Sequence, residues 1–191
     1  MAPKPSPVTA KRRTLIADLA TVFQARGYEG ATLAHLAAAT GLSKASLYHH
    51  FPGGKAEIVA VLVRDAVADL QRAFVRLQGT DPPDVKLKRF VDAFSDYVDA
   101  GRGHCLVAVL MQGSIAEQHG APTAKQFEDW RDALATQFEA LGSKPKRAHR
   151  EAGELLASLY GLLLTGKLLR DPDHFRRGIK RLKRGIQKSK H

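Results

Sequence analysis

The residues best equipped for chemistry in this chain lie in one short stretch, Lys44 to His50, with sequence KASLYHH. Leu47 and Phe51, four apart, share a helical face and should turn inward. Lys44, Ala45, Ser46, Tyr48, His49 and His50 are then left to point away. They supply a cation, a hydroxyl, a phenol and two imidazoles, with no carboxylate to repel a polyanion. Lys44 and Tyr48 suit phosphate oxygens, whereas Ser46, His49 and the Ala45 methyl suit base edges or a thymine methyl. Lys55 follows Pro52-Gly53-Gly54 at the start of the next helix, where an ammonium can reach a backbone phosphate. Enzyme signatures are missing: the chain has no G-x-S-x-G, P-loop, GxGxxG or HExxH sequence. The scattered Asp and Glu residues read as solvated helix faces, so no catalytic role and no cofactor is expected.

Such a helix needs a partner to hold it. Leu33, Leu36 and Ala37 recur at helical spacing just upstream, and Thr32 can cap that first helix. Gly41 ends the pattern and can take the positive φ of a sharp turn. Leu42 dips back into the small core, and Ser43 is a good N-cap for the second helix. Two helices joined by a three- or four-residue turn containing glycine form a helix-turn-helix, whose second helix enters the major groove. Thr32 and Ser43 therefore join the candidate DNA-contacting residues. The bland alternative is an ordinary helical hairpin with a polar second helix. Upstream, Lys11 to Arg26 reads as an amphipathic helix with Leu15, Ile16, Leu19, Val22 and Phe23 on one face and Gly27 as its stop.

The spacing Thr32-Leu33, Ala37, Gly41-Leu42-Ser43, Leu47-Tyr48-His49-His50-Phe51 and Lys55 closely resembles the DNA-binding domain of the TetR family of bacterial transcriptional regulators. The resemblance covers roughly fifty residues, Thr9 to Val59, and is one of helical layout only beyond them. Many members place two residues between the phenylalanine and the lysine; this chain places three, Pro52-Gly53-Gly54. The family implies a homodimer joined through its last two helices, and a ligand pocket among the helices that follow the DNA-binding domain.

Composition agrees with a polyanion as partner. The 191 residues carry a net charge of +11, unevenly placed. Residues 1–55 hold seven Lys/Arg against two acids, residues 56–143 nine against thirteen, and residues 144–191 fourteen against four. Thus a basic head (+5) precedes an acidic middle (−4) and a basic tail (+10). The single cysteine, Cys105, forbids an internal disulfide and fits a reducing cytoplasm. No apolar run approaches the ~20 residues of a membrane span, and the start, MAPKPSPVTAKRR, lacks the core of a signal peptide. The expected plan is all-α with about nine helices: a flexible arm (1–8), a helix-turn-helix domain (9–54), and a helical effector-binding and dimerisation domain (55–191).

In that second domain Lys55 to Gln78 reads as a long helix linking the two domains, followed by a helix over Asp84 to Ala100. The apolar run Cys105 to Met111 reads as a buried helix, because no strand pattern exists to pair with it. Pro122 to Leu141 and Lys146 to Leu169 are the next two helices, and Asp171-Pro172 opens the last. Phe90, Phe94, Tyr97, Met111, Phe127 and Trp130 are the candidate pocket lining, with Gln112, Ser114, His104 and His119 as polar anchors; singly, each aromatic reads as core. Leu155, Leu159, Leu162, Leu163, Phe175, Ile179 and Leu182 are the candidate dimer seam, a four-helix arrangement of two copies; the alternative is that these residues fill one chain's core. A two-fold dimer reads a palindrome with half-sites one helical turn, ~34 Å, or a multiple apart. Cys105 beside His104 invites a redox reading but suits a small buried hydrophobe better. His104, Cys105 and His119 lack any metal-ligand spacing. The basic positions Arg176-Arg177, Lys180-Arg181, Lys183-Arg184, Lys188 and Lys190 read as a solvated helix face.

The reading with most support is a dimeric regulator, most simply a repressor released from a palindromic operator by a small-molecule effector. The rival readings are a helical binding module with incidental basic surfaces, and an activator or nucleoid-type protein without an effector.

Overall fold

The computed structural model describes residues 7–110 and 115–188. Met111, Gln112, Ser114 and Lys190 lie outside them, as does most of the expected arm. The described residues form nine α-helices and no strand: α1 (Pro7–Gly30), α2 (Leu33–Thr40), α3 (Lys44–His50), α4 (Gly54–Phe74), α5 (Pro83–Tyr97), α6 (Leu106–Leu110), α7 (Ile115–Ala140), α8 (Pro145–Leu168) and α9 (Pro172–Lys188). Short 3₁₀ turns follow α4 (Val75–Leu77) and α5 (Asp99–Gly101).

Two compact units divide the chain. The first takes the described residues up to Ala66 and those between Leu106 and Gly120; the second takes the rest. The helix α4 is continuous through the division. The expected boundary at 54/55 does not coincide with it, because the first unit also holds most of α4 and the whole of α6, which packs on α1.

In the first unit, α1 starts at Pro7, earlier than the expected arm allows, and breaks at Gly27 (φ 66°, ψ −176°), where only glycine is unstrained. Leu19, Val22 and Phe23 are buried, whereas Leu15 and Ile16 are half-buried. Leu36 from α2, Leu47 from α3, Phe51, and Ile58, Val59 and Leu62 from α4 are almost wholly out of solvent. A buried leucine or phenylalanine contributes roughly 1.5–3 kcal/mol. That is enough to fix a seven-residue α3 that would be marginal alone.

In the second unit, α5 buries Leu87, Phe90, Val91 and Phe94, and packs with α9 and the turn after α4. The pair α8 and α9 packs along Leu155, Leu159, Leu163, Phe175 and Ile179, all buried. Gly178 permits the closest approach: a Cβ there would stand 2.2 Å from Leu162 Cδ2. One boundary differs from the sequence reading, since α7 runs from Ile115 through Pro122 rather than starting at it. Proline removes one intrahelical hydrogen bond, and the turns on either side retain theirs.

Candidate DNA-binding surface

Two caps and one glycine place the recognition helix. Thr32 stands in extended conformation before α2, and its hydroxyl accepts from the His35 N–H at 3.2 Å. His35 Nδ1 lies 3.4 Å from the Thr32 N–H, closing a capping box. At the far end Gly41 (φ 67°, ψ 11°) is left-handed and turns the chain sharply. Ser43 then caps α3, accepting from the Ser46 N–H at 3.0 Å, and the two serine hydroxyls lie 2.9 Å apart.

These bonds sort the candidate contacts. Thr32 and Ser43 hold helix starts first, although each hydroxyl keeps a proton to donate. Ser46 is half-buried and engaged with Ser43, so it presents less to a base edge than its position suggested. Lys44, Ala45, Tyr48, His49 and His50 are exposed, Tyr48 to 47%. No acidic residue lies in the first turn of α3 or anywhere along it. His49 and His50 meet edge to face, with ring centroids 5.9 Å apart.

Lys55 differs from the sequence reading. Its Nζ donates to the Tyr28 carbonyl at 3.0 Å and sits 4.1 Å from the centroid of the Tyr28 ring. It is half-buried and ties the start of α4 to the end of α1. The ammonium is therefore engaged within the protein. Tyr28, 27 residues upstream, offers a carbonyl that also accepts from the Ala31 N–H at 3.3 Å, and it was a long-range partner that local spacing gave no sign of.

The three-residue Pro52-Gly53-Gly54 connection has a local explanation. Gly54 is left-handed (φ 63°), and a Cβ on it would stand 3.3 Å from Tyr48 Cε1. Its N–H donates to the Phe51 carbonyl at 2.8 Å, while the Gly53 N–H donates to Glu57 Oε2 at 2.7 Å. The connection thus caps α4 and leaves room for the Tyr48 ring.

Residues 15–62 match the family described as "Bacterial regulatory proteins, tetR family". That match runs from α1 through the helix-turn-helix into α4. A curated HTH-type transcriptional regulator of Mycobacterium tuberculosis, found in strains CDC 1551 and H37Rv, is 24% identical over 170 residues, covering 84% of this chain and 86% of that relative. Among solved structures, a TetR-family transcriptional regulator from Agrobacterium tumefaciens aligns with a TM-score of 0.77 at 21% identity, covering 93% of this chain and 97% of that one. A TetR transcriptional regulator from Chloroflexus aurantiacus aligns with a TM-score of 0.75 at 22% identity, covering 93% and 94%. These structures show that the second unit has the TetR fold as well. The chain is thus similar to TetR-family transcriptional regulators, in sequence over its helix-turn-helix domain and in fold over most of its length.

In that second unit the candidate pocket aromatics form one connected series. Phe74 stacks on Trp130 at 4.7 Å and meets Phe90 at 4.6 Å; Phe127 touches both Trp130 (4.8 Å) and Tyr160 (6.2 Å); Phe94 meets Tyr160 (5.4 Å) and Tyr97 (6.3 Å). Phe90, Phe94 and Trp130 are buried, and Phe127 and Tyr97 half-buried. Of the candidates only Trp130 lines a recess of about 370 Å³, which Phe74, Gln71, Gln78, Gln126 and Gln137 also line. The Trp130 indole N–H donates to Gln71. Sequence reasoning did not select Phe74, Gln71 or Tyr160, because only their partners in the fold distinguish them from ordinary helix positions.

Cys105 is 2% exposed, with Tyr160 Oη at 3.5 Å and Tyr97 Oη at 3.8 Å from its sulfur. Burial pushes the Tyr160 phenol far up, and the neighbouring thiol adds to this, so it stays protonated and can donate. His104 is held below its ordinary range by burial and by the nearby Lys167 ammonium. Among the described residues no group of three His, Cys, Asp or Glu side chains is placed to hold a metal. No helix among them is long and apolar enough to cross a membrane.

The candidate dimer residues divide. Leu155, Leu159, Leu163, Phe175 and Ile179 pack inside their own chain and are not a free face, because the pairing of α8 with α9 consumes them. Leu162 and Leu182 remain half-buried, in an open groove of about 620 Å³ between α8 and α9 whose floor includes Gly161, Thr165 and Gly185. Leu164 and Leu168, farther along α8, are 60% and 74% exposed.

Proposed function

We propose that this protein is a cytoplasmic, dimeric, non-enzymatic repressor that leaves a palindromic operator when a small molecule binds its second unit. The observation that carries the DNA reading is α3: a capped helix with an exposed cation, phenol and imidazoles and no carboxylate. Lys44 and the Tyr48 hydroxyl contact phosphates, fixing register. Ala45 and His49 read base edges, assisted by Ser46. Thr32, Ser43 and Lys55 act at the margins of this surface and hold it in shape.

Dimerisation is supported by the α8–α9 groove. Its small residues, Gly161 and Gly185, would admit another helix closely, and Leu162, Leu182, Leu164 and Leu168 offer apolar surface to cover. Effector binding is supported by the aromatic series from Phe90 to Tyr97 and the adjoining glutamine-lined recess. An effector releases DNA only if it binds the non-DNA arrangement more tightly than the DNA-competent one.

The test is substitution on α3. Lys44→Ala and Tyr48→Ala should each weaken operator binding by tenfold or more while leaving the helical content and the dimer unchanged. Undiminished binding by both variants would instead favour a binding module whose basic surfaces are incidental.

A further inference from the structure

The basic face of α9 has no part in the reading above, and its geometry is more specific than a merely solvated face requires. Six cations lie on this one helix between Arg176 and Arg184. Three meet carboxylates: Arg176 pairs with Asp173, Arg177 with Asp171 at 2.6 Å, and Lys183 with Asp92 at 2.6 Å. Lys180, Arg181 and Arg184 meet none among the described residues; Lys180 and Arg184 are exposed. These two are four apart, so they lie on one side of the helix, about 6 Å apart along its axis. They face away from the buried Phe175, Ile179 and Ile186.

The helix does not favour this arrangement by itself. Like charges four apart oppose helix formation. The macrodipole rewards cations only in the last turn, and Lys180 lies two turns before the end. A surrounding polyanion would relieve the repulsion. Duplex DNA is the partner that fits, since it presents a continuous row of phosphates to a straight row of cations and needs no apolar contact.

We infer that the exposed α9 face, centred on Lys180 and Arg184, is a second, sequence-independent DNA-binding surface, separate from the helix-turn-helix. It holds the protein on non-operator duplex by charge alone and adds nothing to the preference for an operator.

The test uses the full chain and a scrambled duplex of about 30 base pairs, with binding followed by fluorescence anisotropy across a salt series. In Lys180→Gln/Arg184→Gln the slope of log affinity against log salt should become shallower by about 1.8, at about 0.9 for each phosphate no longer neutralised. The reversal Lys180→Glu/Arg184→Glu should weaken binding further, at least tenfold at low salt. Operator affinity should stay nearly unchanged in both, so the ratio of operator to scrambled affinity should rise, whereas His49→Ala should reduce that ratio, so failure of the operator reading and failure of this one are separable. Circular dichroism and a melting curve verify that each variant folds. Scrambled-duplex affinity and slope equal to the parent's in both folded variants would overturn the inference. So would intact duplex binding accompanied by a failure to bind phosphatidylglycerol vesicles that the parent binds, which would assign the face to an anionic membrane.

Discussion

Lys55 offers the sharpest test of how the DNA-binding unit is held together. Its ammonium donates to the Tyr28 carbonyl at 3.0 Å and lies 4.1 Å from the centre of the Tyr28 ring, joining residues 27 apart in sequence. A half-exposed cation–π contact contributes about 0.5–1 kcal/mol. A hydrogen bond from a charged donor adds roughly 1.5 kcal/mol at the low end of its range. Lys55→Met keeps the aliphatic stem and removes both, so it should cost about 2 kcal/mol. Tyr28→Leu removes only the ring and should cost about 1 kcal/mol beyond its packing loss. Urea unfolding of the parent, both single variants and the double variant closes a cycle, with an expected coupling of about 0.5–1 kcal/mol. In a chain of this length a loss of 2 kcal/mol corresponds to a melting point lower by about 4–8 °C. A coupling near zero, with Lys55→Met as stable as the parent, would refute the tie and return the ammonium to solvent, where the sequence had placed it for a phosphate.

Other perturbations follow from single contacts. Ser43→Ala should cost about 1 kcal/mol in urea unfolding, because the Ser46 N–H loses its cap, and Ser43→Asp should recover most of it. Gly54→Ala places a Cβ at positive φ and 3.3 Å from the Tyr48 ring; a stability loss of about 1–2 kcal/mol together with weaker operator binding is expected, and a variant that binds normally would contradict the role given to Tyr48. For pH, the folded state holds His104 below its ordinary range, so it binds fewer protons than the unfolded chain. Its contribution is therefore fully present above about pH 6.5 and is lost as pH falls through the lower folded value. The drop in urea midpoint between pH 7.5 and pH 5.5 should be smaller in His104→Gln than in the parent. Finally, Trp130 is the only tryptophan, and Gln71→Leu removes the acceptor of its N–H; a shift in emission wavelength is expected, and unchanged fluorescence would place the indole elsewhere.

Much of this architecture was legible in the sequence because it is encoded locally. Thr32, Gly41 and Ser43 each perform a role that their own chemistry dictates within three residues, and all three do so in the structure. The run after Cys105 forms a buried helix, as its lack of any strand partner required. What the sequence concealed depends on distant partners. Lys55 could not be separated from a free surface cation without knowing that Tyr28 lies beneath it. The leucines of α8 could not be divided between the core and an outer face, since a helix apolar on several sides gives the same pattern for both; here Leu155, Leu159 and Leu163 are buried while Leu164 and Leu168 are exposed. Pro122 was read as a helix start because proline favours that position, yet α7 extends before it. For the aromatic residues, composition could not separate Trp130, which borders a recess, from Phe90, which is sealed.

The central claim is that α3 reads sequence, and the most direct measurement is binding of the purified protein to duplex from immediately upstream of its own gene, against a scrambled duplex, at two salt concentrations. Nonspecific binding falls steeply with salt, while a specific complex retains a preference of several kcal/mol. The account predicts a preference for the upstream duplex that survives the higher salt and is largely lost in Ser46→Ala/His49→Ala, which removes the polar side chains given to base edges. If that preference survives in the doubly substituted protein, α3 is not the reading element and the central claim is contradicted.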